Sequence, residues 1–313
     1  LEANLTAGAS VLILPDKAST ERALNDITAL APGVDIHFVG SDRVDGIDTG
    51  QSGRALRALL GGLPAIYVTR ATEMLGGVSK DAFKRLLLSC GEKQSMPDLE
   101  QALADYGFTR DSFVVEPGYF AVRGGILDVF PGDREKPVRL DFFGNTLESI
   151  HEFDPSSQRS DIAFDTITIY PENPFLDVAT DPLLNSVPLG VRFFQYRPII
   201  EASDSSRVAQ LLSVRPKKEV YTFFQLKTEL DDVVDIEVQP EFQRNLDAFR
   251  ARLHHLNDEN YQVYVCAYSN IQLDRLRVLF ESFRFECVRM SLSSGFIDHT
   301  HKLAVLTDHQ VFG

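Results

Sequence analysis

Four charged side chains recur inside one pair of alternating segments, GYFAVRGGILDVFPGDREKPVRLDFFG at residues 118–144. They are Arg123, Asp128, Arg139 and Asp141. Arginine and carboxylate groups form strong charge-assisted hydrogen bonds, either with one another or with a binding partner. A hairpin whose side chains only pack in the core would not need such charged residues. The stretch therefore predicts either an internal ion pair or a surface that another macromolecule binds.

Successive side chains of a strand point to opposite faces, so each segment divides into two sides. Tyr119, Ala121 and Arg123 share one side of the first strand, and Arg139, Asp141 and Phe143 share one side of the later strand. We call this side the mixed face. The opposite side is apolar and is expected to pack in the core; it carries Phe120, Val122, Val138, Leu140 and Phe142.

Arginine and aromatic residues are enriched in the energetically important parts of protein interfaces. The mixed face therefore predicts partner-binding residues at Arg123, Arg139, Phe143 and Tyr119, with Arg110 as a weaker candidate. The alternative is a solvated ion pair of one of the two strand arginines with Asp128 or Asp141. Such a pair contributes at most about 1 kcal/mol of stability.

A phosphate-binding loop is not indicated. The nearest candidate is GQSGRAL at residues 50–56, which lacks the lysine of the GxxxxGK[ST] motif and does not clearly follow a strand. The start of a helix is the favoured interpretation. No GxGxxG after a strand, HExxH or GxSxG is present, so no catalytic residue and no cofactor are predicted.

A metal site is not indicated either. In DHTHKLAVLTDH, residues 298–309, the two polar groups flank a strand of about six residues and would lie roughly 20 Å apart. His254 and His255 are expected on a solvated helix face. Cys90, Cys266 and Cys287 are far apart and lack metal-ligand spacing, as in a reducing compartment.

Composition limits the function further. The chain has 313 residues, 44% of them hydrophobic, and a net charge of −14, which argues against a surface that grips DNA along its whole length. Neither a signal peptide nor an apolar run of about 18 residues is present. We expect a cytoplasmic protein with no membrane contact and no small-molecule substrate. Both ends look cut, which indicates a fragment of a longer chain.

The element pattern predicts α/β and α+β organisation. Strands alternate with helices over residues 1–90. One helix at MPDLEQALADYGF, residues 96–108, is then followed by strands with turns between them: SFVVEP, GYFAVRGGILDVFP, PVRLDFFG, TLESIHEFD and FDTITIYP. Asp98 is a candidate cap and Gly107 a stop for that helix. The predicted domains are an α/β domain at 1–90 plus 161–215, an inserted antiparallel-sheet domain at 91–160, and a second small α/β domain at 216–313.

Two segments resemble a known family. EPGYFAVRGGILDVFPGDREKPVRLDFFGNTLESIHEFDPSSQRS, residues 116–160, resembles the UvrA-binding domain of UvrB, and more closely the UvrB-like N-terminal module of bacterial transcription-repair coupling factors (Mfd). FIDHTHKLAVLTDHQVFG, residues 296–313, resembles the end of the domain that precedes the RNA-polymerase-interacting module in those factors.

The resemblance implies a degenerate, helicase-like α/β domain without ATPase activity, which agrees with the missing lysine. It implies a non-enzymatic fragment that recruits UvrA to stalled RNA polymerase in transcription-coupled nucleotide-excision repair. It also implies contact with the C-terminal domains of the parent chain and restraint of that chain's ATP-driven DNA translocase, through which DNA is engaged. The alternative is a fragment of UvrB or a related ATP-dependent DNA-binding repair enzyme.

Overall fold

A computed structural model describes residues 8–41, 49–172, 174–176, 181–196, 203–216, 220–223 and 236–312. The chain divides into two compact units. Unit 1 comprises Leu1–Glu21 and Val34–Phe223, and unit 2 comprises Arg22–Gly33 and Phe224–Gly313.

The described ranges contain strands and helices that we number in chain order. The strands are β1 (Ser10–Leu14), β2 (Ile36–Val39), β3 (Ile66–Arg70), β4 (Gly77–Val78), β5 (Leu86–Ser89), β6 (Thr109–Arg110), β7 (Tyr119–Arg123), β8 (Ile126–Val129), β9 (Val138–Phe143), β10 (Thr146–Phe153), β11 (Ser160–Phe164), β12 (Thr166–Ile169), β13 (Phe175–Leu176), β14 (Arg192–Tyr196), β15 (Val220–Phe223), β16 (Ile236–Val238), β17 (Gln262–Ala267), β18 (Glu286–Arg289), β19 (Phe296–Asp298) and β20 (Leu303–Thr307). The helices are α1 (Lys17–Leu30), α2 (Thr49–Leu60), α3 (Ala71–Leu75), α4 (Met96–Asp105), α5 (Leu183–Ser186), α6 (Ser203–Leu212), α7 (Leu246–Asp258), α8 (Asn270–Leu279) and α9 (Asp308–Phe312).

A five-stranded parallel sheet forms the first part of unit 1, in the order β15-β14-β1-β3-β2. Its middle strand β1, SVLIL, is a short aliphatic run, because a parallel sheet with helices on its faces is buried on both sides. Val11, Tyr67 and Phe193 are fully buried in its core. The predicted α/β pattern is confirmed here. Strand β15, however, belongs to this sheet, although the sequence had suggested that the last domain begins at residue 216.

A six-stranded sheet forms the second part of unit 1, in the order β11-β10-β9-β8-β7-β6. All neighbours are antiparallel except β6 and β7. Helix α4 covers its apolar face, where Leu99 and Leu103 pack with Leu127 and Leu140. The predicted combination of one helix and an antiparallel sheet is confirmed.

Three details of this region differ from the expectations. The segment GYFAVRGGILDVFP, expected as one strand, forms the two antiparallel strands β7 and β8 with a tight turn at Gly124 and Gly125 between them. Ser95, not Asp98, caps α4: its side chain accepts a hydrogen bond from the backbone N–H of Asp98, which lies in the first turn. Gly107 follows the end of the helix with φ of +89°, as a C-terminal stop requires. SFVVEP is not a strand. Val114 in this segment instead packs against Ala121 and Phe153 in a small separate core.

Two short pairings complete unit 1. Strand β12, from the predicted segment FDTITIYP, pairs with β5 in a two-stranded sheet, outside the six-stranded one, and β13 pairs with β4. After α5, the chain returns to the parallel sheet in β14, which pairs with β1.

The sheet of unit 2 has five strands in the order β16-β19-β20-β17-β18. Strands β20, β17 and β18 are parallel, whereas β16 and β19 are antiparallel to their neighbours. Phe249 of α7, Leu276 of α8 and Val265 of β17 meet in its core. None of the helices in the described ranges combines the length and apolar character needed to span a bilayer.

Candidate partner-binding face

Asp128 is the centre of the mixed face. It lies on β8 between Ala121 of β7 and Arg139 of β9, so all three side chains point to the side away from α4. Its carboxylate is 1% exposed and accepts hydrogen bonds from Arg123 Nη2 at 2.5 Å and from Arg139 Nε and Nη2 at 2.7 and 2.9 Å. Both predicted arginines therefore meet on one buried carboxylate. The ion pair that the sequence suggested does form, but its carboxylate is buried and not solvated.

Gln158 joins this cluster from the loop after β10. Its backbone carbonyl and its Oε1 both accept hydrogen bonds from Arg139, at 3.3 and 3.0 Å. Gln158 has φ of +59°, a left-handed conformation that is unusual for a residue with a side chain. Asp154 holds the loop by accepting hydrogen bonds from the backbone N–H groups of Ser156 and Ser157, and these bonds lower the pKa of Asp154. The DPSSQ motif thus positions Gln158 over the arginines.

The two arginines play different roles. Arg139 is 14% exposed, lies 4.5 Å over the Phe153 ring, and uses all three of its nitrogens in hydrogen bonds to Asp128 and Gln158. The hydrogen bond to Asp128 is the main cause that raises its pKa. Arg139 is therefore a positioning residue within the face.

Arg123 retains capacity for a partner. Its side chain is 36% exposed, and its hydrogen bonds to the described residues all leave from Nη2. Within the described ranges, its Nε and Nη1 thus have no hydrogen-bond acceptor in the chain. Phe113 lies beside it, with the guanidinium carbon 5.0 Å from the ring centroid. Asp141, on the same side of β9 as Arg139, is a second carboxylate near the cluster and contributes to the raised pKa of Arg139.

Exposed apolar side chains accompany Arg123 on this domain. Phe143, at the end of β9 and on the same side as Arg139, is 76% exposed. Phe113 is 57% and Val115 64% exposed. Large exposed aromatics next to an oriented arginine are typical of protein-binding surfaces. Tyr119 is half-buried and lies on the mixed face by its position in β7.

Arg110 is not brought to this face. It pairs in parallel register with Phe120, a core residue, and its guanidinium lies 2.7 Å from Glu100 of helix α4. Neighbours in register on adjacent strands point to the same side of a sheet. Arg110 therefore lies on the helix side, opposite Arg123.

Phe113 and Gln158 were not identified as site residues from the sequence. Phe113 belongs to the segment predicted as a strand, and Gln158 follows a strand in a loop. The one available signal for the Gln158 loop was the Asp-Pro-Ser-Ser motif. An aspartate followed two and three residues later by serines favours a turn in which the carboxylate accepts hydrogen bonds from the serine N–H groups.

The other candidate chemistry is not supported by the geometry. The GQSGRAL segment lies within helix α2, as its favoured interpretation predicted. Arg57 of this helix lies 4.0 Å over the Tyr170 ring and 3.8 Å from Asp133, so this surface of α2 packs against the rest of unit 1. Among the described residues, no group of three or more His, Cys, Asp or Glu side chains could hold a metal ion.

Comparison with known proteins agrees with the resemblance noted in the sequence. The family model described as the UvrB interaction domain matches residues 86–175, which include the six-stranded sheet and the mixed face. The transcription-repair-coupling factor of Myxococcus xanthus is 40% identical over 84 residues, covering 27% of this chain and 7% of the relative. The factor of Bacillus subtilis is 33% identical over 104 residues, covering 33% and 9%.

The UvrABC system protein B of Chlorobaculum tepidum is 33% identical over 130 residues, covering 39% of this chain and 18% of the relative. The matched segments thus span less than a fifth of the length of these relatives. The predicted resemblance is confirmed: this chain carries a UvrB interaction domain at residues 86–175 and is related there to transcription-repair-coupling factors and UvrABC system B proteins.

Proposed function

We propose that this chain binds UvrA through the mixed face and acts in DNA repair as the recruitment module of a transcription-repair-coupling factor. The proposal rests on the geometry of Arg123. The buried carboxylate of Asp128 holds its guanidinium group, two of its nitrogens remain available to a partner, and the exposed ring of Phe113 lies beside it. Arg123 can form charge-assisted hydrogen bonds with UvrA while the aromatic rings contribute apolar contact.

Arg123→Ala and Phe143→Ala are the informative substitutions. Asp128 keeps both hydrogen bonds from Arg139 when Arg123 is removed, and Phe143 is largely outside the core, so both variants are expected to fold. Loss of an anchor residue at an interface typically costs about 2 kcal/mol or more, equivalent to roughly a 30-fold weaker Kd. Isothermal titration calorimetry with purified UvrA measures the change.

Lys84→Ala is the matched control, because it removes one positive charge from an exposed side chain that pairs with Asp81 outside the six-stranded sheet. It is expected to leave the affinity for UvrA unchanged. Equal affinity of UvrA for the original chain and for both site variants would remove the mixed face from the interface.

We further propose that the chain recruits without catalysing, and that its helicase-like α/β part restrains the translocase of a parent protein. The net charge of −14 and the lack of a GxxxxGK[ST] motif in this sequence support recruitment without catalysis, whereas the restraint is an expectation from the family resemblance. Deletion of residues 1–313 from the parent should raise its DNA-stimulated ATPase rate, and unchanged rates would contradict restraint.

The second candidate is part of a UvrABC system B-type repair enzyme, which the 33% identity to the Chlorobaculum tepidum protein favours. It predicts DNA-stimulated ATP hydrolysis by the purified chain, whereas the recruitment function predicts none. A phosphate-release assay separates the two.

A further inference from the structure

A crevice of about 410 Å³ lies at the carboxyl ends of the parallel strands in unit 2. Its lining includes Cys266 at the end of β17, Thr307 at the end of β20, and the residues that follow them, Tyr268 and Asp308. Volumes of about 300 to 1,000 Å³ are usual for sites that bind small molecules or single side chains.

The strand order places this crevice where ligands bind in open α/β sheets. From β17 the chain passes through α8 to β18 on one side, and then returns to β20 on the other side of β17. The connections on the two sides of β17 therefore diverge, which opens a cleft between β17 and β20 at their carboxyl ends.

Asp308 is the unusual residue of this crevice. It is only 7% exposed, yet among the described residues its carboxylate has neither a hydrogen-bond donor nor a cationic partner. Neither carboxylate oxygen is fully shielded from solvent, so the charge faces the crevice, where a cation that enters can pair with it. The other carboxylate near the crevice, Asp26, accepts hydrogen bonds from the backbone N–H and the side chain of Ser293 and is thereby satisfied.

The chemistry of the lining favours a cation. Asp308 repels phosphate or carboxylate ligands. The nearest helix start is that of α9, where Asp308 is itself the first residue and already places a carboxylate beside the backbone N–H groups. The start of α8 is closed by a capping box between Ser269 and Gln272, so neither helix start offers much to an anion. Burial raises the pKa of the Cys266 thiol to about 11, so this thiol stays neutral and is unsuited to nucleophilic chemistry.

We propose that this crevice binds a guanidinium or ammonium group, with Asp308 as its counter-ion. The Asp308 carboxylate pairs with the cation, while Tyr268 and Met290 line the apolar walls beside it. The group belongs either to a free amine or to an arginine or lysine side chain of a partner protein. The site lies outside the UvrB interaction domain and is independent of the mixed face.

Agmatine and the peptide acetyl-Gly-Arg-Gly-amide are the probes, titrated into the full 313-residue chain by isothermal titration calorimetry. Saturable binding of at least one is expected. Butylurea, which resembles the guanidinium end of agmatine without its charge, should not bind. Tighter binding of agmatine indicates a free amine as the natural source, and tighter binding of the peptide indicates a protein side chain.

Asp308→Asn keeps the size of the side chain and removes its charge. Because hydrogen bonds to charged groups are among the stronger ones, it should weaken the Kd of the better probe by about 10- to 100-fold. Asp247→Asn is the matched control, since Asp247 is an exposed carboxylate at the start of α7. It should bind the probes as the original chain does.

Amide chemical shifts in the original chain provide a readout that does not depend on the folding of a variant. The probes should shift the resonances of residues 266–268 and 307–309. Absence of binding by both probes, equal binding by Asp308→Asn, or stronger binding of AMP than of agmatine would each overturn the proposal.

Discussion

At the scale of single residues, Asp128 explains why charges recur within the strands of the hairpin. One buried carboxylate orients two guanidinium groups, and the Oε1 atom of Gln158 accepts further hydrogen bonds from both. The arrangement differs from a solvated surface ion pair, which contributes about 1 kcal/mol or less. Its function in our proposal is to fix the direction in which Arg123 presents its remaining nitrogens.

Asp128→Ala should therefore be far more destabilising than the loss of an exposed ion pair. It leaves two neighbouring arginines without their counter-ion, and breaking a buried pair in this way typically costs about 3–5 kcal/mol. Asp161→Ala, which removes the exposed partner of Lys136, should cost far less than Asp128→Ala. Urea denaturation followed by circular dichroism measures both, and similar costs for the two variants would show that the Asp128 cluster is not structurally important.

At the scale of elements, the turn between β7 and β8 sets the spacing of the mixed face. Gly124 has φ of +63°, which suits glycine in a tight turn. A Cβ atom added at Gly125 would lie 2.7 Å from the backbone carbonyl oxygen of Phe142, so strand β9 passes too close for any side chain. The close approach of the two backbones is also seen in the hydrogen bond that the Phe142 N–H donates to the Gly125 carbonyl.

Gly125→Ala should push β8 away from β9 and disturb the contact between Asp128 and Arg139. Because the obstructing atom belongs to the backbone, we expect a loss of about 1–3 kcal/mol of stability and weaker binding of UvrA. Gly33→Ala, where an added Cβ meets no atom within 4 Å, should change stability by less than about 0.5 kcal/mol. Thermal denaturation and the UvrA titration test this, and an unchanged Tm for Gly125→Ala would contradict the close strand approach.

At the scale of the whole molecule, each compact unit buries a group that titrates at high pH. Burial raises the pKa of Tyr67 in unit 1 to about 12 and that of Cys266 in unit 2 from 9.0 to about 11. In the unfolded chain both groups lose their protons at lower pH than in the folded chain. At pH values between the pKa of each group in the unfolded chain and its pKa in the folded chain, the folded state binds more protons. The free energy of unfolding therefore decreases as pH rises through that range.

We accordingly expect the free energy of unfolding to decline once pH exceeds 9.0, for unit 2 up to about 11. Urea denaturation at successive pH values measures the decline. Tyr67→Phe should reduce it for unit 1, at the cost of the hydrogen bond that the Tyr67 hydroxyl donates to the Leu63 carbonyl. A pH dependence identical in the original chain and in Tyr67→Phe would exclude Tyr67 as a source.

Much of the fold followed from local pattern. Alternating apolar residues were sufficient to predict that Phe120, Val138 and Leu140 face the core and that Arg123 and Arg139 face the other way, because side-chain direction in a strand has a period of two. The prediction of a strand at SFVVEP was wrong. β-branched and aromatic residues favour strands in general, but here Val114 fills a gap between Ala121 and Phe153, and tertiary packing outweighs local preference.

By itself, the sequence determined the kind of domain at residues 91–160, the two faces of its strands, and the lack of a phosphate-loop lysine in this chain. Only the tertiary structure decided that Arg123 and Arg139 converge on Asp128, that Arg110 lies on the opposite side, and that Asp308 is buried beside a crevice. The physical reason is that face and period are properties of neighbouring residues, whereas burial and charge pairing depend on strand register and on segments distant in the chain.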